Sequence, residues 1–163
     1  PVNLNPIPEV NIINVVTAEQ MFEEVKKHYS EKDIIIMSAA VSDYTIRNYS
    51  THKLKKEANE LNLTLNPTQD ILLWLGENKN DKTILIGFAL ETNNDIDNAI
   101  KKLETKKADI IILNNPLIEG AGFETDTNII KIIDKNKNIT EFPKLTKYEL
   151  AHKIIDYILN LKS

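Results

Sequence analysis

An apolar run, Asp33-Ile-Ile-Ile-Met37, leads into Ser38-Ala-Ala-Val-Ser-Asp-Tyr44 and then into Lys53-Leu-Lys55-Lys56. Small residues beside an acid and clustered ammonium groups are what an α/β protein uses to bind an anion. The run reads as a strand buried on both faces, as in a parallel sheet covered by helices. Residues just past such a strand lie at the sheet's C-terminal edge, where open α/β sheets bind their ligands. Ser38, Ala39 and Ala40 are small enough to let a substrate or phosphate approach the backbone. Asp43 can accept hydrogen bonds from a base, a ribose or a lysine, and Lys53 is a mobile point charge. The same residues also fit a tightly packed Ala pair beside a solvated lysine arm, and taken alone they leave both readings open.

The elements that must position these groups follow from periodicity and capping signals. Asn11 to Val16 reads as a strand, and Thr17-Ala-Glu-Gln20 has capping-box spacing for a helix after it. The strand at 33–38 comes next. Leu61-Asn-Leu-Thr-Leu65 alternates as a strand should, and a helix starting at Thr68 or Asp70 carries Ile71, Leu72, Trp74 and Leu75, with Trp74 expected in the core. Thr83 to Ala89 predicts a strand, and a helix capped near Thr92 to Asn94 runs to about Lys107. Asp109 to Leu113 is another buried strand, ending at Asn114 and Asn115. Ile129 to Ile133 and Ile139 to Phe142 predict a closing hairpin. A last helix opens at Thr146, with Glu149 at capping-box spacing and Leu150, Ile154 and Ile158 on its apolar face. Strand–helix alternation of this kind predicts an α/β fold, a Rossmann-like mainly parallel sheet flanked by helices with an antiparallel edge hairpin. The region between Asp43 and Leu61 is too long and polar for an ordinary connection of roughly 4–6 residues, and so needs a role of its own.

Composition excludes several function classes. With 20 Lys and Arg against 24 Asp and Glu, the net charge of −4 speaks against a general nucleic-acid surface, so any lysine-rich anion site is local. No apolar run is long enough to span a membrane. The absence of cysteine excludes disulfides, thiolate catalysis and Cys-ligated metals, and with no signal-like segment the chain is expected in the cytoplasm. His28, His52 and His152 stand in separate charged contexts without metal-ligand spacing and read as surface residues. The chain holds no GxSxG, GxxxxGK or GxGxxG motif.

Six segments in order resemble one family: SAAVSDY, KLKK at 53–56, PTQDIL at 67–72, GFALET at 87–92, KKLETKKAD at 101–109, and NN followed by GFETDTN within 114–128. They are similar to phosphopantothenoylcysteine synthetase, the bacterial ligase of coenzyme A synthesis that is often fused to a flavin-dependent decarboxylase. The resemblance implies a single domain over 1–163 that lacks the family's N-terminal strand and glycine-rich nucleotide loop. It also implies a protruding arm at 43–61 that reaches across a homodimer. The implied partners are CTP, 4'-phosphopantothenate and L-cysteine, with magnesium accompanying the triphosphate and FMN belonging only to a fused decarboxylase domain.

On the family pattern Lys53 is the lysine tied to catalysis and to the nucleotide phosphates. Asp43 matches an acid that contacts the nucleotide, the backbone around Pro67 to Asp70 matches a loop beside the base, and Phe88 matches an aromatic of the nucleotide pocket. Ala39 and Ala40 belong to the same site. Gly87 would permit close backbone approach. Lys102 and Lys106, four apart on a predicted helix and so on one face, match nucleotide-contacting lysines. The resemblance identifies no metal ligands. Relatives carry Asn-Asp where this chain has Asn114-Asn115, so neither residue receives a catalytic role. Two other readings remain open at this point. A Rossmann-like oxidoreductase domain would prefer NADH to CTP, and a non-catalytic dimerising module would bind CTP without releasing pyrophosphate.

Overall fold

The computed structural model describes residues 7–47, 52–53, 62–117 and 126–161. Its elements in chain order are α1 (Ala18–His28) with a 3-10 turn after it, β1 (Ile34–Met37), β2 (Tyr44–Ile46), β3 (Leu65–Pro67), α2 (Ile71–Asn78), β4 (Ile84–Leu90), α3 (Asp95–Thr105), β5 (Ile110–Asn114), β6 (Thr127–Asp134), β7 (Ile139–Thr146) and α4 (Lys147–Leu161). They divide between two compact units, residues 1–30 with 40–71 and residues 31–39 with 72–163.

The larger unit carries a five-stranded sheet of order β1-β4-β5-β6-β7. β1, β4 and β5 run parallel, while β6 and β7 are antiparallel additions. This is the α/β sheet and edge hairpin that the sequence predicts. Alternation along the strands sorts the apolar residues by face. Ile86, Ile110, Ile112, Ile130 and Ile132 pack with Leu150, Ile154 and Ile158 of α4. Leu85, Ile111 and Ile133 point to the opposite face and are fully buried. Leu72 of α2 reaches Gly87 and Ile111 on that second face, and α3 lies against β4 and β5. Both sheet faces are thus covered, which is why β5 reads as an unbroken apolar run rather than an alternating one.

The helix starts follow local chemistry. Thr17 accepts from Gln20 N at 3.1 Å, while Gln20 Oε1 accepts from Thr17 N at 3.1 Å, completing the capping box. At α4 the Thr146 hydroxyl donates to Glu149 Oε2 at 2.7 Å, the Thr146 N–H donates to the same oxygen at 2.9 Å, and Glu149 N donates back to Thr146 Oγ1 at 3.2 Å. The hydroxyl, and after it the backbone N–H, hold the Glu149 carboxyl below the usual carboxylate range. A depressed folded pKa contributes stability above the unfolded value of about 4.3, and that contribution is lost as pH falls through the folded pKa. Glu149→Gln should therefore melt below the wild type at neutral pH, and the two curves should converge as pH drops below about 4, as followed by circular dichroism. A melting difference independent of pH would show that the carboxylate charge plays no part in the cap.

Three expectations need correction. Asn11 to Val16 is not a strand; Ile12, Ile13, Val15 and Val16 are exposed, with no strand pairing among the described residues. A strand exists by sharing backbone hydrogen bonds with a neighbour, and side-chain pattern alone supplies none. The strand expected at 61–65 falls instead at Leu65–Pro67, paired antiparallel with Tyr44–Ile46. Leu61 itself lies outside the described residues, as do Leu54, Lys55, Lys56 and most of the 43–61 arm. Trp74 is half-buried rather than a core residue, whereas Ile71 and Leu75 of the same helix are buried.

Candidate functional site

The parallel strands β4 and β5 end together, with Leu90 in register with Asn114, while β1 stops earlier, its last residue Met37 in register with Gly87. Ser38 and Ala39 follow β1 and are exposed. Gly87 serves a different purpose from the one its type suggested. A Cβ there would stand 2.7 Å from Leu72 Cδ2 and 3.0 Å from Ile111 Cδ1, so the missing side chain makes room for α2 to seat on the sheet, not for a ligand.

Phe88, the next residue, turns to the α4 side, where it is half-buried against the core cluster. Asn114 shares that side, because alternation along β5 aligns it with Ile110 and Ile112. Its Oδ1 is buried and, among the described residues, has no hydrogen-bond partner. A buried carbonyl without a donor costs about 1–3 kcal/mol, a cost that a ligand N–H would offset. Asn115 is already used, since its Oδ1 accepts from Leu117 N at 3.0 Å and closes a local turn. Sequence reasoning passed over Asn114 because only register and burial together reveal an unanswered acceptor.

Two lysines were expected on α3. Lys102 is half-buried and donates from Nζ to the Phe88 carbonyl at 2.8 Å. Lys106 lies one turn, about 6 Å of helix axis, further from the C-terminal edge, and its backbone carbonyl abuts Gly76 of α2. The structure therefore joins Lys102 to Phe88 and places Lys106 toward the base of the sheet.

In the smaller unit the backbone brings another expected set together. Asp43 O accepts from Thr68 N at 2.9 Å, and Tyr44 pairs with Pro67. Thr68 Oγ1 donates to Ser42 O, fastening the same junction. Asp43 and Pro67 are exposed, Asp70 is half-buried just before α2, and Ala40 and Lys53 are exposed. The stretch 118–125, which contains the first half of GFETDTN, lies outside the described residues.

A cavity of about 240 Å³ opens at the opposite end of the sheet beside Thr83, Asp109 and Asp134. Asp81 also lines it, and the other two carboxylates, Asp109 and Asp134, are engaged by the fold. Asp109 accepts from Leu85 N at 2.8 Å and pairs with Lys79 at 3.0 Å, while Asp134 accepts from Asn136 N, Asn138 N and Asn138 Nδ2, each at 2.9 Å. The unanswered acceptor and the half-covered aromatic lie instead at the C-terminal edge.

The fold is a Rossmann-like α/β domain whose parallel strands end at an edge that carries the unanswered Asn114 oxygen. The chain belongs to the DNA/pantothenate metabolism flavoprotein C-terminal domain family, whose profile matches residues 1–161. Among similar proteins, the coenzyme A biosynthesis bifunctional protein CoaBC of Bacillus subtilis (strain 168) is 40% identical over 162 residues, covering 99% of this chain and 40% of that protein. A protein of an unknown prokaryotic organism, named cysteine/cysteine sulfinic acid decarboxylase, is 44% identical over 162 residues, covering 99% of this chain and 45% of its own. The crystal structure of the C-terminal domain of a CoaBC protein matches with a TM-score of 0.78 at 38% identity, covering 99% of this chain and 72% of that one. The resemblance to phosphopantothenoylcysteine synthetase is thereby borne out for the domain. The chain spans less than half the length of these curated relatives. No helix among the described residues is long and apolar enough to cross a membrane.

Proposed function

We propose that this domain carries the ligase step of coenzyme A biosynthesis, joining 4'-phosphopantothenate to L-cysteine at the expense of CTP. Membership of the family over residues 1–161 carries the reading. The edge chemistry supports it. Phe88 offers an aromatic face to a base, and the Asn114 Oδ1 offers an acceptor to the base's exocyclic amine.

In the first step the phosphopantothenate carboxylate attacks the α-phosphorus of CTP, and the bond to the β-phosphate breaks, so pyrophosphate leaves and an acyl-cytidylate forms. In the second the cysteine amine attacks the acyl carbon, expels CMP and gives up a proton as the amide forms. Both steps move negative charge onto phosphate oxygens, so the protein's task is positioning and electrostatic stabilisation. Lys53 supplies the charge nearest the reacting phosphates, and Asp43 contacts the nucleotide beside the Pro67 to Asp70 loop. Magnesium, if carried in with the triphosphate, shares its charge. Such an ion would be held mainly by the substrate phosphates with one or two carboxylates, Asp43 being available as an oxygen ligand. The 43–61 arm reaching a second subunit is part of the same proposal.

The decisive assay supplies the longest natural form with CTP, 4'-phosphopantothenate and magnesium. Pyrophosphate should appear before cysteine is added, and CMP only afterwards. The relative named as a decarboxylase supports a second reading. In that case carbon dioxide would be released from cysteine or cysteine sulfinate without CTP, and no pyrophosphate would form.

Asn114→Leu tests the edge directly. It should raise stability by about 1 kcal/mol in the absence of ligand, because a buried unanswered carbonyl is removed. It should also weaken CTP binding about tenfold, the weight of one lost hydrogen bond to a bound group. Parallel losses in stability and binding would mean that Asn114 is structural.

A further inference from the structure

Alternation along the paired strands β2 and β3 sorts their residues into two faces. Tyr44 stands opposite Pro67 and Ile46 opposite Leu65, which makes one face apolar. Thr45 stands opposite Asn66, and Arg47 N donates to the Thr64 carbonyl at 2.9 Å, so Arg47 and Thr64 are opposed as well and share the other face. Asp43 heads the same row, because Thr68 N donates to its carbonyl at 2.9 Å. Arg47, Thr45, Thr64 and Asn66 are all exposed. That face therefore presents a guanidinium, two hydroxyls and a carboxamide, donors suited to an oxyanion. Arg47 is the single arginine among the 20 Lys and Arg of the chain. It makes no ion pair among the described residues. A guanidinium differs from an ammonium in gripping a phosphate through two parallel N–H donors.

We propose that Arg47, with Thr45, Thr64 and Asn66 beside it, binds the 4'-phosphate of phosphopantothenate and leaves the substrate's carboxylate at the Asp43 end, where the nucleotide is engaged. The lengths agree. From Asp43 to Arg47 the strand advances about 13 Å, and an extended phosphopantothenate spans roughly 11 Å between its carboxylate carbon and its phosphorus. The assignment rests on the ligase reading and adds to it the distal end of the second substrate. Lys53 serves phosphates that react, whereas this phosphate does not. An interaction with a group that is the same in ground and transition states lowers KM and leaves kcat alone.

The test compares Arg47→Met, Arg47→Lys and Asn66→Leu with the wild type in the longest natural form of the protein. It measures equilibrium binding of 4'-phosphopantothenate, pantothenate and CTP, and steady-state rates in all three substrates of the ligase. Arg47→Met should weaken 4'-phosphopantothenate about 10–100-fold, the weight of hydrogen bonds to a charged group. Pantothenate, which lacks the phosphate, should bind as it does to the wild type, and so should CTP, while kcat at saturation stays unchanged. An unchanged CTP affinity also shows that the substituted strands are folded. Arg47→Lys should recover part of the affinity through its charge, and Asn66→Leu should lose about 2–10-fold. A loss in Arg47→Met that falls on CTP or cysteine, or equally on pantothenate, would overturn the assignment. So would an unchanged affinity for 4'-phosphopantothenate in a protein that still releases pyrophosphate, and the ligase reading would then stand without it. A wild type that releases no pyrophosphate would remove the ligase reading and the assignment together.

Discussion

Replacing Lys53 with glutamine in the longest natural form of the protein is expected to slow pyrophosphate release from CTP by roughly 10²–10³-fold, the scale seen when a preorganised donor to developing charge is lost. Lys53 is exposed, so its side chain supports no core packing, and the melting temperature should not move. Glutamine keeps most of the length and a hydrogen-bond donor but removes the charge. Because only interactions stronger in the transition state than in the ground state raise the rate, the CTP dissociation constant should rise far less than the rate falls. Single-turnover measurement of pyrophosphate separates the two effects, and Lys53→Arg should recover part of the rate by restoring the charge. An unchanged single-turnover rate in Lys53→Gln would remove Lys53 from the chemistry. A rate loss matched by an equal loss of CTP affinity would leave it a simple binding residue.

What the sequence made legible was local. The capping boxes at Thr17 and Thr146 were readable because their partners lie three residues away. β5 was readable because burial on both faces demands an unbroken apolar run, and the β6–β7 hairpin because its turn closes over Asp134 to Asn138. Features that depend on distant partners were not. Tyr44–Ile46 is short and exposed, and it is a strand only because Leu65–Pro67 pairs with it. Asn11 to Val16 has strand composition without a partner. Gly87 invited a ligand reading because type alone cannot say whether a missing side chain is filled by substrate or by Leu72. Among the candidate residues, the place of Ala39 just after a strand was legible from the apolar run before it. Asn114 was not, because its buried, unanswered oxygen is a property of register.

Gly76→Ala is expected to lower stability by about 3 kcal/mol, although glycine to alanine within a helix ordinarily gains roughly 0.5–1 kcal/mol. The reversal of sign follows from where α2 crosses the end of α3. A Cβ on Gly76 would stand 2.0 Å from the Lys106 carbonyl oxygen and 3.1 Å from its carbon, and these are backbone atoms with no rotamer in which to retreat. The turn that carries them is fixed from several directions. Lys106 N donates to Lys102 O at 2.9 Å, Ala108 N to Leu103 O at 3.1 Å, and Asp109 N to Leu85 O at 2.9 Å, while Lys107 adopts a left-handed φ of 51°. Relief therefore requires α2 to lift from the sheet or α3 to slide along it, and overpacking of this kind costs about 1–3 kcal/mol or more. For a domain of this size the melting temperature should fall by roughly 6–12 °C. A slide of α3 would also carry Lys102 away from the Phe88 carbonyl. A rise in melting temperature would mean that helix propensity outweighs the contact and that α2 approaches α3 less closely in solution.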